Sequence, residues 1–362
     1  MSLGGLMYKV KAVGAGSIGN HMAYACRQLN WDVTICDIDS AALERTKNDI
    51  YPSRYGAWDT EIKLALNSEV ETENFDVVII GTPPDTHIAI AINELKNSSP
   101  KVMLIEKPLS TPELENLNEL EELAKSKGTK LCVSYNHTTT QNTLFAENLI
   151  RKGVLGTPKS INVQWLEHWG GIFGAHPWLA GPHDSYLGFY KRGGGSTGEH
   201  SHCINIFQHF SRVLGMGEVT EVNATMDMIE NDKVSYDQNA IIALRTENGL
   251  VGSVITDVLT KPAKKAVRIQ GDKGFIEWYV NYKDGFDAIM YQSEGGEIQE
   301  ELISKSRPDD FQNEIKHVGD ILSGHVKIEN SPISFETGLQ TMKVIQAAYS
   351  SAMNKRLVQI NQ

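Results

Sequence analysis

Apolar residues in the first third of the chain come in short unbroken runs, separated by stretches with helical spacing. Tyr8 to Val13, Asp32 to Cys36, Phe75 to Gly81, Val102 to Ile105 and Lys130 to Ser134 read as strands of the kind a parallel sheet buries between helices. Between them, Ser40 to Asp49, with Ser40 as N-cap, and Asp85 to Leu95, with Ile88, Ala91, Ile92 and Leu95 on one face, read as helices. A Ser110-Thr111-Pro112 start predicts a further acidic helix to about Lys127, carrying Leu114, Leu117, Leu120 and Leu123. This alternation predicts an α/β domain with a doubly wound parallel sheet. Lys9 and Lys11 interrupt the first strand and are expected near the sheet's leading edge, snorkelling to water.

From Asn136 the pattern changes. A helix over about Thr139 to Lys152 gives way to longer alternating strands: Lys159 to Glu167, Val219 to Met228, Ala240 to Thr246, Gly252 to Val258, Ala266 to Gln270 and Phe275 to Val280. Asn248-Gly249 and Gly271 to Gly274 are hairpin signals, so this sheet is expected to be mostly antiparallel. Helices over Phe311 to Leu322 and Phe335 to Asn354 close the chain. Two domains are predicted, 1–135 and 136–362, the second α+β with a large open-faced sheet suited to a homodimer or homotetramer.

The first turn carries chemistry. Tyr8 to Asn20, YKVKAVGAGSIGN, runs from a strand through Gly14, Gly16 and Gly19 into a helix. In that G-x-G-x-x-G spacing the first glycine makes the tight turn, the second lets a pyrophosphate approach the backbone, and the third lets the helix pack closely. The N–H groups opening the helix, at Ser17 and Ile18, lack intrahelical partners and face an anion with the positive end of the helix dipole, without any basic side chain. Asp37 ends the second strand eighteen residues after Gly19, where a carboxylate accepts from both ribose hydroxyls of an adenosine. It repels a 2′-phosphate, and Ile38 to Ala41 offer no Arg or Lys, so NAD is favoured over NADP. The first domain is therefore expected to be a Rossmann dinucleotide-binding domain.

Composition narrows the setting. A chain of 362 residues with 41% apolar content can bury two cores. Its net charge of −11 argues against sequence-independent binding to nucleic acid or anionic membranes, so an anionic ligand must be held by local features. Cys26, Cys36, Cys132 and Cys203 are scattered and read as small buried hydrophobes in a reducing compartment. No apolar run is long enough to span a bilayer, and the first strand starts too early for a secretory leader, so a soluble cytoplasmic protein is expected, with Met1 to Met7 as a remnant or unordered start.

The Gly14 loop, Gly81-Thr82-Pro83 with His87, Glu106-Lys107-Pro108, Tyr135-Asn136-His137, Gly193 to Gly195 before His202, and Gly271 to Gly274 occur in an order that resembles the glucose-fructose oxidoreductase and inositol dehydrogenase group, Gfo/Idh/MocA, over nearly the whole chain. The resemblance implies an NAD-dependent dehydrogenase acting on a secondary alcohol of a sugar, nucleotide sugar or inositol-like polyol. A non-catalytic NAD- or sugar-binding sensor with the same fold is the alternative. It implies cofactor contacts at Thr82, Pro83, His87, Glu106 and Lys107 besides Gly14, Gly16, Ser17, Ile18, Gly19, Asp37 and Ile38, and a lysine and a histidine where nicotinamide meets substrate.

Oxidising a secondary alcohol needs a group that takes the hydroxyl proton. Lys107, at the carboxyl end of a parallel strand, and His202, whose imidazole accepts and returns a proton near neutral pH, are the catalytic candidates; an exposed strand-end lysine is the plain alternative for the first. The family pattern places an acid four residues before the histidine, but this chain has Gly198 there and Glu199 three before. On one helix Glu199 would share a face with His202, yet Ser196 to Glu199 also fits a capping box. A metal shared by His200 and His202 is not expected, because residues two apart on a helix diverge. Asn205 is a weaker polar candidate. Substrate contacts are expected at Asn136, Trp178, Arg192, Glu199 and His202; Trp178 and Arg192 belong to a loop region also carrying Trp165, Glu167, His168, Trp169, His176, His183, Asp184, Tyr186, Tyr190 and Lys191, whose aromatic faces and polar edges suit a polyhydroxylated ring.

Overall fold

The computed structural model describes residues 7–174 and 178–360; the leader through residue 6 and His176 lie outside them. The chain forms two compact units. The first gathers the residues up to Ser110, Leu114–Asn136 and Arg307–Phe335, and the second holds Thr111–Glu113, His137–Ser306 and Glu336–Gln362. A single boundary at 135/136 does not describe this, because the segment from Arg307 returns to the first unit.

The first unit is a six-stranded parallel sheet of β1 (Lys9–Val13), β2 (Asp32–Asp37), β3 (Lys63–Leu66), β4 (Val77–Ile80), β5 (Val102–Glu106) and β6 (Lys130–Ser134), in the order β3-β2-β1-β4-β5-β6. The doubly wound expectation holds. Helices α1 (Ser17–Gln28), α2 (Ser40–Arg45), α3 (Tyr51–Tyr55), α4 (Pro84–Asn97) and α5 (Leu117–Lys127) connect the strands. Asp39, not Ser40, caps α2, its carboxylate accepting from the Ala41 N–H. The helix predicted from Ser110 starts only at Leu117, since Leu114 and Asn116 both adopt positive φ and cannot continue a right-handed helix.

Lys11 does not snorkel. It is 1% exposed, and its ammonium donates to Glu94 of α4 at 2.7 Å, so the buried charge is paired. Lys9 meets Glu73 at the surface at 2.7 Å.

In the second unit, α6 (Gln141–Arg151) precedes β7 (Pro158–Leu166), and a loop region with the short α7 (Trp169–Gly174) leads to α8 (Gly195–Glu199) and α9 (His202–Val213). Then come β8 (Val219–Asn231), β9 (Val234–Thr246), β10 (Val251–Asp257), β11 (Lys264–Gly271), β12 (Phe275–Lys283), β13 (Phe286–Gln292) and β14 (Gln299–Ser304). With β15 (Val358–Gln359) they form a nine-stranded sheet, order β14-β13-β12-β11-β7-β10-β9-β8-β15, antiparallel except where β7 pairs β10. Both expected hairpins are present. β13 and β14 were not legible, the first being one turn beyond a strand that already runs to Lys283 and the second being rich in glutamate.

Helices α6 and α9 lie on this sheet, and α11 (Phe335–Asn354) reaches it through Ser351, which accepts from the Ala224 N–H at 2.9 Å. Elsewhere on the sheet Ile241 and Val251 are exposed.

The remaining helix, α10 (Arg307–Ser323), covers α1 in the first unit. Its Phe311, Ile315, Val318 and Ile321 join the core with Met22 and Trp31, and Phe311 stacks on His21 at 4.4 Å. Burying four such side chains stabilises by roughly 6 to 12 kcal/mol on transfer scales.

Candidate active site

In the first unit the glycine loop has the form its spacing predicts. Gly14 adopts φ +103°, and a Cβ there would press against the Gly81 carbonyl at 3.0 Å. A Cβ on Gly19 would lie 1.9 Å from the Gly14 oxygen, so only hydrogen lets α1 come this close. A Cβ on Gly16 would meet nothing within 4 Å: this glycine faces open space at the N-cap of α1, where no side chain caps the helix. That opening before uncapped N–H groups fits a dinucleotide diphosphate.

Asp37 closes the loop from the side. Its Oδ2 accepts from the Ala15 N–H at 2.8 Å and its Oδ1 from the Asp39 N–H at 3.0 Å, so the acid that would face the ribose also holds the loop. Thr46 donates to the Ala15 carbonyl, and Asn20 donates to the Gly16 carbonyl at 2.7 Å. Ile38 is 85% exposed and borders a groove of about 500 Å³ whose lining mixes the apolar Leu66, Ala89 and Ile90 with the polar Asn67, Ser68, Glu71, Asn93 and Glu94.

The loop is linked to Lys107 through His87. Gly81, at the end of β4, packs against Ile18, and the next residue, Thr82, offers its carbonyl to His87 Nε2 at 2.7 Å. The other ring nitrogen lies 3.1 Å from the Pro108 carbonyl. A neutral ring has one N–H, and the shorter contact assigns it to Nε2, so the Nδ1 approach to Pro108 is a packing contact and not a hydrogen bond. Burial lowers the His87 pKa despite the opposing pull of these carbonyls, so the ring stays neutral. Fully buried, His87 cannot touch a ligand in this arrangement; it sets the spacing of the two loops instead. Thr82 accepts from Thr86 at 2.8 Å, Pro83 caps α4, and half-buried Lys107 directly follows β5.

Next to Lys107, the expected cofactor contact Glu106 is joined by a second acid, Glu314, that sequence reasoning missed. Glu106 is buried and is in register with Ser134 on β6, whose hydroxyl donates to Glu314 of α10 at 2.8 Å. In parallel strands, paired residues project to one face, so the two carboxyls share it. Burial, reinforced by the charge of Glu106, raises the Glu314 pKa well above the ordinary carboxylate value. Asn136, which ends the Leu114–Asn136 segment of this unit, is buried.

In the second unit His202 opens α9. Its ring stacks on Trp165 at 5.7 Å and meets His137 edge-on at 4.7 Å. Lys265 lies over the Trp165 ring at 5.5 Å and pairs with Glu167 at 2.7 Å, placing a cation and an anion beside the imidazole's platform. The segment Gly194–Thr197 is anchored by buried Asp237, which accepts from the Ser196 hydroxyl, the Thr197 N–H and hydroxyl, and the Tyr349 hydroxyl at 2.6 to 2.8 Å.

This arrangement corrects both expectations for Glu199. No capping box forms, because Gly194 is the N-cap and Ser196 points at Asp237. Nor do Glu199 and His202 share a helix, because α8 ends at Glu199 and α9 begins at His202. The Glu199 carboxylate accepts instead from the Tyr186 hydroxyl at 3.3 Å. Asn205 is internal, donating to Thr341 at 3.1 Å. Trp178 and Arg192 are exposed, Arg192 lying 5.9 Å from the Phe189 ring centroid.

All four cysteines are buried and unbridged, and burial drives each thiol pKa upward, to about 12 for Cys36. Among the described residues no group of three or more His, Cys, Asp or Glu could hold a metal, and no helix is long and apolar enough to cross a membrane.

A parallel sheet with a glycine cradle and a strand-end acid defines a dinucleotide-binding protein of the α/β class. More particularly, the chain belongs to the GFO/IDH/MocA oxidoreductases: residues 8–135 match the family's NAD-binding Rossmann fold and residues 143–277 its C-terminal domain. The curated "Uncharacterized oxidoreductase YfiI" of Bacillus subtilis (strain 168) is 23% identical over 215 residues, covering 57% of this chain and 52% of that protein, so the chain spans about half the length of that relative. Among solved structures, levoglucosan dehydrogenase in complex with NADH and levoglucosan superposes with a TM-score of 0.76 at 20% identity, covering 98% of this chain and 99% of that one. A putative myo-inositol dehydrogenase from Sinorhizobium meliloti 1021 does so with 0.74 at 19%, covering 98% and 100%.

Proposed function

We propose that this oxidoreductase transfers hydride between NAD and a secondary alcohol of a sugar, nucleotide sugar or inositol-like polyol. The observation that carries the reading is the continuous packing in the first unit from the Gly14 loop through Gly81, Thr82 and His87 to the Lys107-Pro108 turn. It ties the residues that would hold a dinucleotide to an amine at the same carboxyl edge of the sheet, where ligands of such folds bind. NAD, when bound, supplies the hydride acceptor. Gly14, Gly16, Ser17, Ile18 and Gly19 would hold its diphosphate, and Asp37 and Ile38 its adenosine. Asp37 disfavours a 2′-phosphate, so NAD is the preferred form.

We assign Lys107 the role of polarising the alcohol oxygen, and His202 is our candidate for the group that takes the hydroxyl proton. His202, held by its stacking on buried Trp165, and the partly exposed Lys265–Glu167 pair beside it suit hydrogen bonding to a ring bearing several hydroxyls. One superposed structure holds NADH and levoglucosan, which supports this choice. Asn136, Trp178, Arg192 and Glu199 complete our substrate set. Ile241 and Val251 on the nine-stranded sheet would form part of a homodimer or homotetramer surface.

The test is NAD reduction by the purified protein with a panel of inositols, hexoses and nucleotide sugars, repeated with Lys107→Ala. Turnover with one of these substrates, abolished in the folded variant, supports the assignment; turnover surviving in Lys107→Ala removes that residue from it. Tight NADH binding with no turnover of any substrate would favour a non-catalytic sensor.

A further inference from the structure

Resting on the cofactor reading above, we propose that Arg54 is a positioning residue for the diphosphate site, holding the first turn of α1 in an anion-accepting state and supplying its positive charge. The sequence shows no basic residue in the glycine loop, and the chain carries a net charge of −11, so a dinucleotide's two phosphate charges need a local counterweight. Arg54 reaches across from α3. Its guanidinium donates to the Ser17 carbonyl at 2.9 Å and to the Ser17 hydroxyl at 2.8 Å, a two-pronged grip on the residue that opens the helix.

The direction of these bonds matters. A serine hydroxyl that accepts from a guanidinium keeps its own proton to donate, and Ser17 sits next to Gly16, whose Cα faces open space. The grip therefore leaves Ser17 a donor where a phosphate oxygen would arrive. Arg54 also feels Arg307 at the start of α10: burial lowers its pKa, Tyr55 opposes this, and Arg307 adds to the lowering. Arg307 in turn donates to His21 on α1 at 3.5 Å. Two guanidinium groups near one helix start repel each other, and an arriving anion offsets that cost.

The experiment compares binding of ADP-ribose, which has the diphosphate, with adenosine, which lacks it, to the full-length protein by calorimetry and by competition with NADH fluorescence. Arg54→Gln should weaken ADP-ribose by about tenfold or more while adenosine stays within about twofold. Arg54→Lys should recover part of the loss, and Ser17→Ala should show the same selectivity without adding fully to Arg54→Gln. Equal weakening of both ligands, or ADP-ribose binding unchanged in either Arg54→Gln or Ser17→Ala, overturns the proposal. Wild-type protein that binds neither NADH nor ADP-ribose overturns the cofactor reading beneath it, a result distinct from selective failure of the variants.

Discussion

Lys11 and Glu94 make an ion pair inside a parallel sheet, where an unpaired charge is costly. Lys11→Met strands the Glu94 carboxylate and should cost about 3–5 kcal/mol, read as a lower urea midpoint at unchanged slope; the double variant Lys11→Met/Glu94→Leu should regain most of it. The sequence shows a lysine in a strand but not its partner, which lies 83 residues away on another element. Asp37 is different, because its role follows from its distance to the glycine loop. Asp37→Ala should lower the preference for NADH over NADPH by about tenfold or more in direct binding measurements. A variant that keeps full discrimination would show that something else excludes the 2′-phosphate. The same substitution also removes the acceptor for the Ala15 N–H, so NADH itself should bind more weakly.

Elements were legible where one rule dominated. The apolar runs Val77–Ile80 and Val102 to Ile105 announce themselves, whereas Lys63–Leu66 is too short and half-exposed to stand out. The break between α8 and α9 was hidden because Gly195 to Cys203 has no proline and no terminal glycine to end a helix; what fixes α8 is Asp237, forty residues on. Asp237→Ala should leave four donors around an empty site, costing several kcal/mol, roughly 3 or more, and raising KM by displacing the segment that leads to His202. Unfolding curves and steady-state kinetics read the two effects separately.

Helix α10 offers a pH test. The folded-state pKa of Glu314 is raised, first by burial and then by Glu106. Its contribution is thus fully present below the unfolded value of about 4.3 and is lost as pH rises through the folded value. Glu314→Gln keeps an acceptor for Ser134 and cannot ionise. Relative to the wild type it should gain stability as pH rises above about 4.3, by up to about 1.4 kcal/mol for each tenfold by which folding weakens the Glu314 acid. Parallel stability curves for the two proteins across that range would show that Glu314 ionises as freely folded as unfolded.

At the scale of the whole molecule, the two sheets were readable because continuous apolar runs and alternating ones separate cleanly at Asn136. What lay beyond the sequence was membership: nothing in the periodicity of Arg307–Ser323 says which core it joins, since an amphipathic helix fits any apolar face. The proposed assembly can be checked here too. Sedimentation should give a mass above one chain, and Ile241→Glu with Val251→Lys should shift it toward the monomer without loss of NADH binding. A monomeric wild type would remove the sheet from that role.

The return of α10 also dictates an order of events during synthesis. When the ribosome has released all six strands of the first sheet, Met22 and Trp31 still lack the helix that shields them, and that helix emerges only after eight of the nine strands of the second sheet have been translated. The nascent dinucleotide domain must wait with an apolar flank uncovered, a natural client for a chaperone, and a fragment truncated at residue 135 inherits the same exposed flank permanently.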